Sequence, residues 1–212
     1  MNVPPPLPPA ASPQLTPAHF QQLAEARYKH KKIRRAISVA TFDGWTIGFF
    51  GGVSLIVGIV GGISPGDIVV GLALTTIAFI ELRTAKSLRR LDVRSARVLG
   101  FNQVALAGLI ILYSLWRIHD ATSPTGSNSE MFSEIAQVDP SMTGTVQSIA
   151  QQASYILYGS LILFAILAQG GTALYYFSRE KYIREYVEQT PPWILQMQQS
   201  PGGFEVISQP LL

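Results

Sequence analysis

The sequence predicts an all-α integral membrane protein in which four transmembrane helices form two hairpins and both termini lie in the cytoplasm. The 212-residue chain is 48% hydrophobic and only 14% charged, whereas about a quarter of the residues in a soluble domain are charged. Four apolar stretches are long enough, with their flanks, to cross a hydrocarbon core of about 30 Å. Of the 16 Lys and Arg residues, all except Arg117 lie at one set of span ends, and this asymmetry predicts the cytoplasmic side.

The segment before the first span has two predicted parts. Residues 1–15 are rich in proline and alanine, which predicts a disordered tail; a ligand for an aromatic-lined groove is the less favoured alternative. Thr16 followed by Pro17 predicts a helix start. Residues 16–39 then form a basic amphipathic helix leading into the membrane, which is typical of an element that contacts anionic head groups. The residues that recur at helical spacing in it are Phe20, Leu23, Ala24, Arg27 and Tyr28.

Residues 40–187 are predicted to form the transmembrane domain. The first span, about 40–62, carries small residues at spacings of four and seven, which leave a flat stripe where another helix of this chain or of a second copy can approach closely. This helix-packing stripe consists of Gly44, Gly48, Gly51, Gly52, Gly58 and Gly62.

The second span is predicted at about 63–82. Its uninterrupted apolar core is only 13 residues long, so a re-entrant segment is the alternative to a full crossing. A full crossing is favoured because the flanks extend the segment to 20 residues, with Asp67 and Glu81 at its two ends. The basic block 81–97 is predicted to continue this span as a helical extension that includes Leu91.

The second half of the domain has spans predicted at about 98–117 and 155–177. Between them, residues 121–147 read as a polar loop without Lys or Arg, and Pro140 is a candidate start of the last helix. A charged extension follows the fourth span and ends at Pro191. Residues 188–212 are rich in Gln, Pro and Gly, which predicts a flexible C-terminal tail.

Aromatic residues near the span ends predict two interfacial belts. With the orientation given above, the basic blocks and both termini are cytoplasmic, and the 121–147 loop is outside. The missing signal peptide and the short loops favour a multi-pass protein of the bacterial inner membrane. The outer belt contains Tyr113, Trp116, Tyr155 and Tyr158, and the inner belt contains Trp45, Tyr175 and Tyr176.

Polar residues inside spans are the first candidates for a functional site. One hypothesis is a cytoplasm-facing cavity for an ion or a small polar solute. The favoured alternative is interhelical hydrogen bonding, with the carboxylates paired to Arg35, Arg83 or Arg97. Neighbouring side chains on a helix point about 100° apart, so the two adjacent amides are not expected to serve one site equally. The candidate polar cluster is Asp43, Glu81, Asn102, Gln103 and Gln169.

The chain lacks the motifs of the common enzyme classes. It has no cysteine, and its three histidines form no H-E-x-x-H pattern, so no metal site is predicted. No G-x-S-x-G elbow, P-loop or dinucleotide fingerprint is present. We therefore predict no catalytic activity, no cofactor and no nucleic-acid partner.

The sequence favours a non-enzymatic scaffold or accessory component that contacts anionic lipid or a partner at the cytoplasmic face. A homo-oligomer or another membrane protein is a possible partner through the glycine stripe. A small transporter or channel that uses the polar cluster is the alternative function. The residues predicted to contact anionic lipid are Lys31, Lys32, Arg34, Arg35, Arg89 and Arg90.

Overall fold

The computed structural model of the chain describes residues 16–60, 65–123, 126, 129–138 and 140–199. Within these ranges the chain forms seven α-helices and one π-helical turn, with no strand. The predicted N-terminal tail, residue Gly62 of the glycine stripe and the last 13 residues of the predicted C-terminal tail, 200–212, lie outside the described residues. The all-α class predicted from composition is confirmed.

Four helical segments are long and apolar enough to span a membrane. They are α1 (Pro17–Val60), α2 (Pro65–Arg89), α3 (Val93–Thr122) and a rod made of α5 (Pro140–Phe164), a π-helical turn (Ala165–Gln169) and α6 (Gly170–Gln189). Large apolar side chains along these segments point away from the protein. Phe49, Ile56 and Ile156 are each exposed over more than half of their surface, and a surface of this kind is suited to lipid rather than to water.

Helix α1 is much longer than a membrane crossing. Its 44 residues extend over about 66 Å at 1.5 Å per residue, so its N-terminal half projects beyond an apolar core of about 30 Å. The helix begins at Pro17, as the Thr16–Pro17 pair predicts.

Most of the residues noted at helical spacing in the projecting half of α1 do not face the protein interior. Phe20, Ala24 and Tyr28 are exposed, whereas Leu23 is buried, and contact of this helix with head groups stays a prediction. The sequence spacing is compatible with either face, and the choice is made by the helices that α1 packs against. The residues buried on this half are Leu23, Ala26, His30, Ile33, Ala36 and Ile37.

The projecting half of α1 belongs to a hydrophobic core that continues beyond the ends of the apolar spans, which we call the terminal core. The end of α2, the start of α3, the end of α6 and the short helix α7 (Pro192–Gln199) complete it. Burial, together with the nearby Arg34 charge, lowers the pKa of His30 to about 4. This basic segment is therefore packed against protein, with its charges directed outward. The buried members include Leu23, Ile33, Leu88, Leu99, Ile183, Tyr186 and Ile194.

The basic block between the second and third spans contains a turn, and the predicted continuous extension is wrong beyond Arg89. Leu91 is buried and has a positive φ of 61°, a backbone conformation that costs a non-glycine residue about 1 to 2 kcal/mol. Asp92 then caps α3, because its side chain accepts hydrogen bonds from the Arg94 N–H at 3.1 Å and from the Ser95 hydroxyl at 3.0 Å.

Two segments predicted to lack structure contain helices. The 121–147 loop includes α4 (Ser129–Val138), and α5 begins at Pro140, as predicted. The prediction of a flexible tail from residue 188 is wrong for α7, in which Ile194 is fully buried. The indole N–H of Trp193 donates to Gln22 of α1 at 3.3 Å, so α7 folds back onto the beginning of the chain.

The opposite end of the molecule holds the single basic residue predicted to lie outside. The Arg117 Nε donates to the Tyr158 hydroxyl at 3.0 Å, and Arg117 Nη1 lies 3.7 Å from an Asp120 oxygen. Tyr113 donates to Asp67 at 3.3 Å across α2 and α3. Three aromatic residues predicted for the outer belt, Tyr113, Trp116 and Tyr158, thus surround a charge.

Glycines allow α1 and α2 to pack closely. A Cβ atom on Gly44 would lie 2.9 Å from Leu82 Cγ, and one on Gly51 would lie 2.8 Å from the Thr75 backbone nitrogen. A Cβ on Gly58 would lie 3.1 Å from Ile68 Cγ1. These three glycines are seven residues apart and face α2 of the same chain, which is the geometry of close helix packing in membranes.

The other two described glycines of the stripe differ from these three. A Cβ on Gly48 would make ordinary van der Waals contact with Ala78 at 3.4 Å, and one on Gly52 would meet nothing within 4 Å. In the same region, a second apolar cluster, which we call the span core, consists of Ile47, Ile77, Ala78 and Leu106.

Substitution of these glycines tests the α1–α2 packing. We expect Gly51→Ala to lower the free energy of unfolding by about 1 to 3 kcal/mol, because the added methyl group forces the backbones of α1 and α2 apart. Gly52→Ala is the matched control and should be neutral or slightly stabilising, since alanine has the higher helix propensity. The measurement is thermal unfolding of both purified variants in one detergent. Equal melting temperatures for the two variants would contradict the packing described here.

Candidate functional site

Four of the five residues of the candidate polar cluster come together where α1, α2 and α3 meet. They lie between the terminal core on one side and the span core on the other. Glu81 and Gln103 are fully buried and Asn102 is 6% exposed, while Asp43 is partly exposed. The cluster is therefore a buried polar layer between two apolar layers, and it reaches the surface through Asp43.

Glu81 of α2 is held by α3. The Asn102 Nδ2 donates to Glu81 Oε2 at 2.5 Å and also to the Ile77 carbonyl oxygen at 3.2 Å. A hydrogen bond to a charged group contributes about 1.5 to 3 kcal/mol, and a buried acceptor left without its donor costs a comparable amount. Asn102 thus fixes both the rotation of α3 and its position along α2.

Gln103 connects three helices. Its Nε2 donates to Asp43 Oδ2 of α1 at 2.5 Å and to Glu81 Oε1 of α2 at 3.1 Å. The expectation that Asn102 and Gln103 cannot serve one site equally is wrong. Each amide binds a different oxygen of Glu81, and the longer side chain of Gln103 makes up the angular difference between the two positions.

Gln169 does not join the cluster. It lies partly exposed in the π-helical turn between α5 and α6, and it takes no part in the hydrogen bonds among the other four residues. Position along a span does not determine which side of a helix faces the neighbouring helices.

Tyr176 of α6 is the site residue that the sequence reasoning missed. It was assigned to the inner aromatic belt, yet it is fully buried and its hydroxyl interacts electrostatically with Glu81 and Asp43. That hydroxyl has no hydrogen-bond partner of acceptable geometry. For a tyrosine one residue from the predicted span end, the sequence does not distinguish a belt position from an internal one.

The carboxylates are not paired with arginine, in contrast to the pairing proposed from sequence. Arg97 makes two hydrogen bonds to Glu180 of α6, at 3.0 and 2.7 Å, and Arg35 and Arg83 are exposed. In the part of the chain that the structure describes, neither Asp43 nor Glu81 forms an ion pair. Nor do three or more carboxylate or imidazole groups meet there as a metal site.

Two grooves lie beside the polar end of the first span. One, of about 360 Å³, runs between α1 and the end of α2, and the other, of about 540 Å³, runs between α1 and the start of α6. Both contain arginine and Ser38 together with apolar side chains. The first is lined by Arg34, Ile37, Ser38, Thr41, Phe42 and Arg89, the second by Arg35, Ser38, Val39, Ala168, Gly171, Thr172 and Tyr175.

All six residues predicted to contact anionic lipid have exposed side chains. Lys32 also lies over the Tyr182 ring, with Nζ 4.5 Å from the ring centroid. Three of the six, Arg34, Arg35 and Arg89, line the two grooves. The charges therefore surround openings of amphipathic character at the junction between the spans and the terminal core.

Comparison of the chain with protein-family models, with functionally curated proteins and with solved structures finds no match in any of the three.

Substitutions in the cluster test which polar residues hold the helices together. Asn102→Leu should lower the free energy of unfolding by about 2 to 3 kcal/mol, because it leaves the buried Glu81 Oε2 atom without its donor. Gln169→Leu is the matched control and should change it by no more than about 0.5 kcal/mol. Thermal unfolding in detergent measures both. A Gln169 variant as unstable as the Asn102 variant would show that the cluster is assembled differently.

Proposed function

We propose that this protein is a non-enzymatic membrane scaffold or accessory component that binds anionic lipid at its cytoplasmic face. The observation that carries the proposal is the pair of grooves at the end of the first span, each lined by arginine and Ser38 together with apolar side chains. A phospholipid combines the same chemistry, a phosphate joined to acyl chains. Arginine and hydroxyl groups are suited to phosphate oxygens.

The proposal includes a multi-pass arrangement in the bacterial inner membrane. Helices α1 and α2 form one hairpin, and α3 forms the second with the α5–α6 rod. Both termini and the terminal core lie in the cytoplasm. Contacts of α1 with α2 and of α3 with α5 and α6 support the two hairpins, and the distribution of Lys and Arg supports the orientation.

Single cysteines test the orientation in a chain that has none of its own. Ser87→Cys, in the basic block, should react with a membrane-impermeant maleimide only from the cytoplasmic side. Ser127→Cys should react only from the opposite side. The measurement is labelling of right-side-out and inverted vesicles, with the cysteine-free parent as control. Labelling of both positions from one side would overturn the proposed topology.

Lipid binding is tested by neutralising the groove between α1 and α2. The double variant Arg34→Gln with Arg89→Gln should weaken binding of phosphatidylglycerol by about 2 kcal/mol, about 30-fold in Kd, because each arginine near a lipid surface contributes about 1 kcal/mol. Arg83→Gln removes an exposed basic residue outside both grooves and is the control.

Native mass spectrometry of the purified protein with phosphatidylglycerol and with phosphatidylcholine measures the bound fraction. We expect selective binding of the anionic lipid by the parent protein and by the Arg83 variant. Equal binding of both lipids by the parent protein, or an unchanged double variant, would rule out a phosphate site in this groove.

A small transporter or channel is the second candidate function. The specific observation in its favour is a pair of carboxyl groups, one fully buried, whose polar neighbours among the described residues are amide donors and a tyrosine hydroxyl. Intramembrane ionisable groups of this kind commonly mark ion pathways. This candidate needs flux as well as binding, whereas the lipid proposal needs neither carboxylate.

A further inference from the structure

The two carboxyl groups of the polar cluster have no basic partner among the described residues. One amide nitrogen, Gln103 Nε2, lies within hydrogen-bond distance of oxygens from both Asp43 and Glu81. Burying two carboxylates side by side is unfavourable unless a positive charge accompanies them. Among the described residues, no lysine, arginine or histidine pairs with either group.

Two buried polar atoms at the same place lack partners. The Tyr176 side chain is fully buried, and its unpartnered hydroxyl faces the Glu81 carboxyl. Gln103 is also fully buried, and its Oε1 atom has no hydrogen-bond partner. Buried polar atoms without partners are uncommon in folded proteins and call for an explanation, such as an ion that is bound in another state.

The unpartnered Gln103 Oε1 atom can become a ligand of a bound cation. If the Gln103 amide turns over, Oε1 replaces Nε2 between the two carboxyl groups. The carboxyl oxygens then have an amide oxygen beside them and the Tyr176 hydroxyl near Glu81, and oxygen atoms are the ligands that hard cations prefer. A proton bound to one carboxyl group would satisfy the same oxygen, because a carboxylic acid donates one hydrogen bond.

Access to the cluster is one-sided. Asp43 is partly exposed, whereas Glu81, Gln103 and Tyr176 are fully buried. The groups that face the pair are Tyr176 from α6, with Tyr175 beside it, and the two amides from α3. A small cation therefore reaches the cluster through Asp43 and is retained by the buried groups.

We propose that Asp43 and Glu81, together with Gln103 and Tyr176, form a binding site for one small monovalent cation, either a proton or Na⁺. The site is independent of the lipid grooves, and it can operate in a scaffold as well as in a transporter. Occupancy affects α1, α2, α3 and α6 together, since each supplies one of the four residues.

The test uses the purified full-length protein in a nonionic detergent. Infrared difference spectroscopy at neutral pH detects the carbonyl stretch of a protonated carboxylic acid. Thermal unfolding is measured in parallel in NaCl and in choline chloride at equal ionic strength. The variants are Asp43→Asn and Glu81→Gln, with Glu185→Gln as a control that removes a carboxylate from the exposed Lys181 pair of α6.

A proton site predicts a carboxylic acid band in the parent protein that is lost in either cluster variant and kept in the Glu185 variant. A Na⁺ site predicts no such band, but a rise in melting temperature with Na⁺ and not with choline. That rise should need at least tenfold more Na⁺ in the Asp43 variant. The band and the melting temperature of the parent protein distinguish these outcomes even if Glu81→Gln does not fold. A parent protein with neither the band nor a Na⁺-specific rise would overturn the proposal.

Discussion

The burial of Glu81 governs the arrangement of the apolar helices. A carboxyl group inside the protein is strongly destabilising unless its oxygens have donors, and both donors come from adjacent residues of α3. This fixes the rotation of α3 and its height along α2 together. Gln103 then extends the same network to Asp43 of α1, so that one polar layer sets the register of three helices for which apolar packing alone would allow sliding.

The glycine stripe and the polar cluster depend on each other. Gly44 follows Asp43 directly, and a Cβ atom there would lie 3.2 Å from Glu81 Cγ. The missing side chain leaves the space in which Glu81 lies against α1. Further along, Gly51 allows the backbone of α2 to approach in the same way. Close approach brings the carboxyl groups within reach of a single amide, and the network in turn prevents the helices from separating.

Part of this arrangement could be predicted from the sequence because its signals are local. Pro17 and Pro140 mark helix starts, since proline lacks the backbone N–H that would have no intrahelical partner at the first helical position. Asp43, Glu81, Asn102 and Gln103 were found because polar residues inside apolar spans are uncommon. What they bind depends on the rotation of each helix, and hydropathy carries no information about rotation.

The features that were missed depend on distant contacts. The buried face of the first half of α1 is chosen by α6 and α7, and Trp193 reaches Gln22 from the other end of the chain. Tyr176 has the same residue type and nearly the same depth as a belt tyrosine, but α6 turns it inward. Leu91 adopts a positive φ, which local sequence does not predict for a leucine. The buried contacts of its side chain compensate for the free-energy cost of this backbone conformation.

The position of the polar cluster favours ion binding over ion transport. On one side the partly exposed Asp43 connects it to the surface, and on the other side the span core closes it with Ile47, Ile77 and Leu106. An ion that enters from the Asp43 side therefore meets an apolar layer and leaves by the way it came. Movement through the protein would also require α1, α2 and α3 to repack around that layer. Binding requires only that the Gln103 amide turn over, so the structure is suited to an occupied site whose state is felt by four helices rather than to an open path.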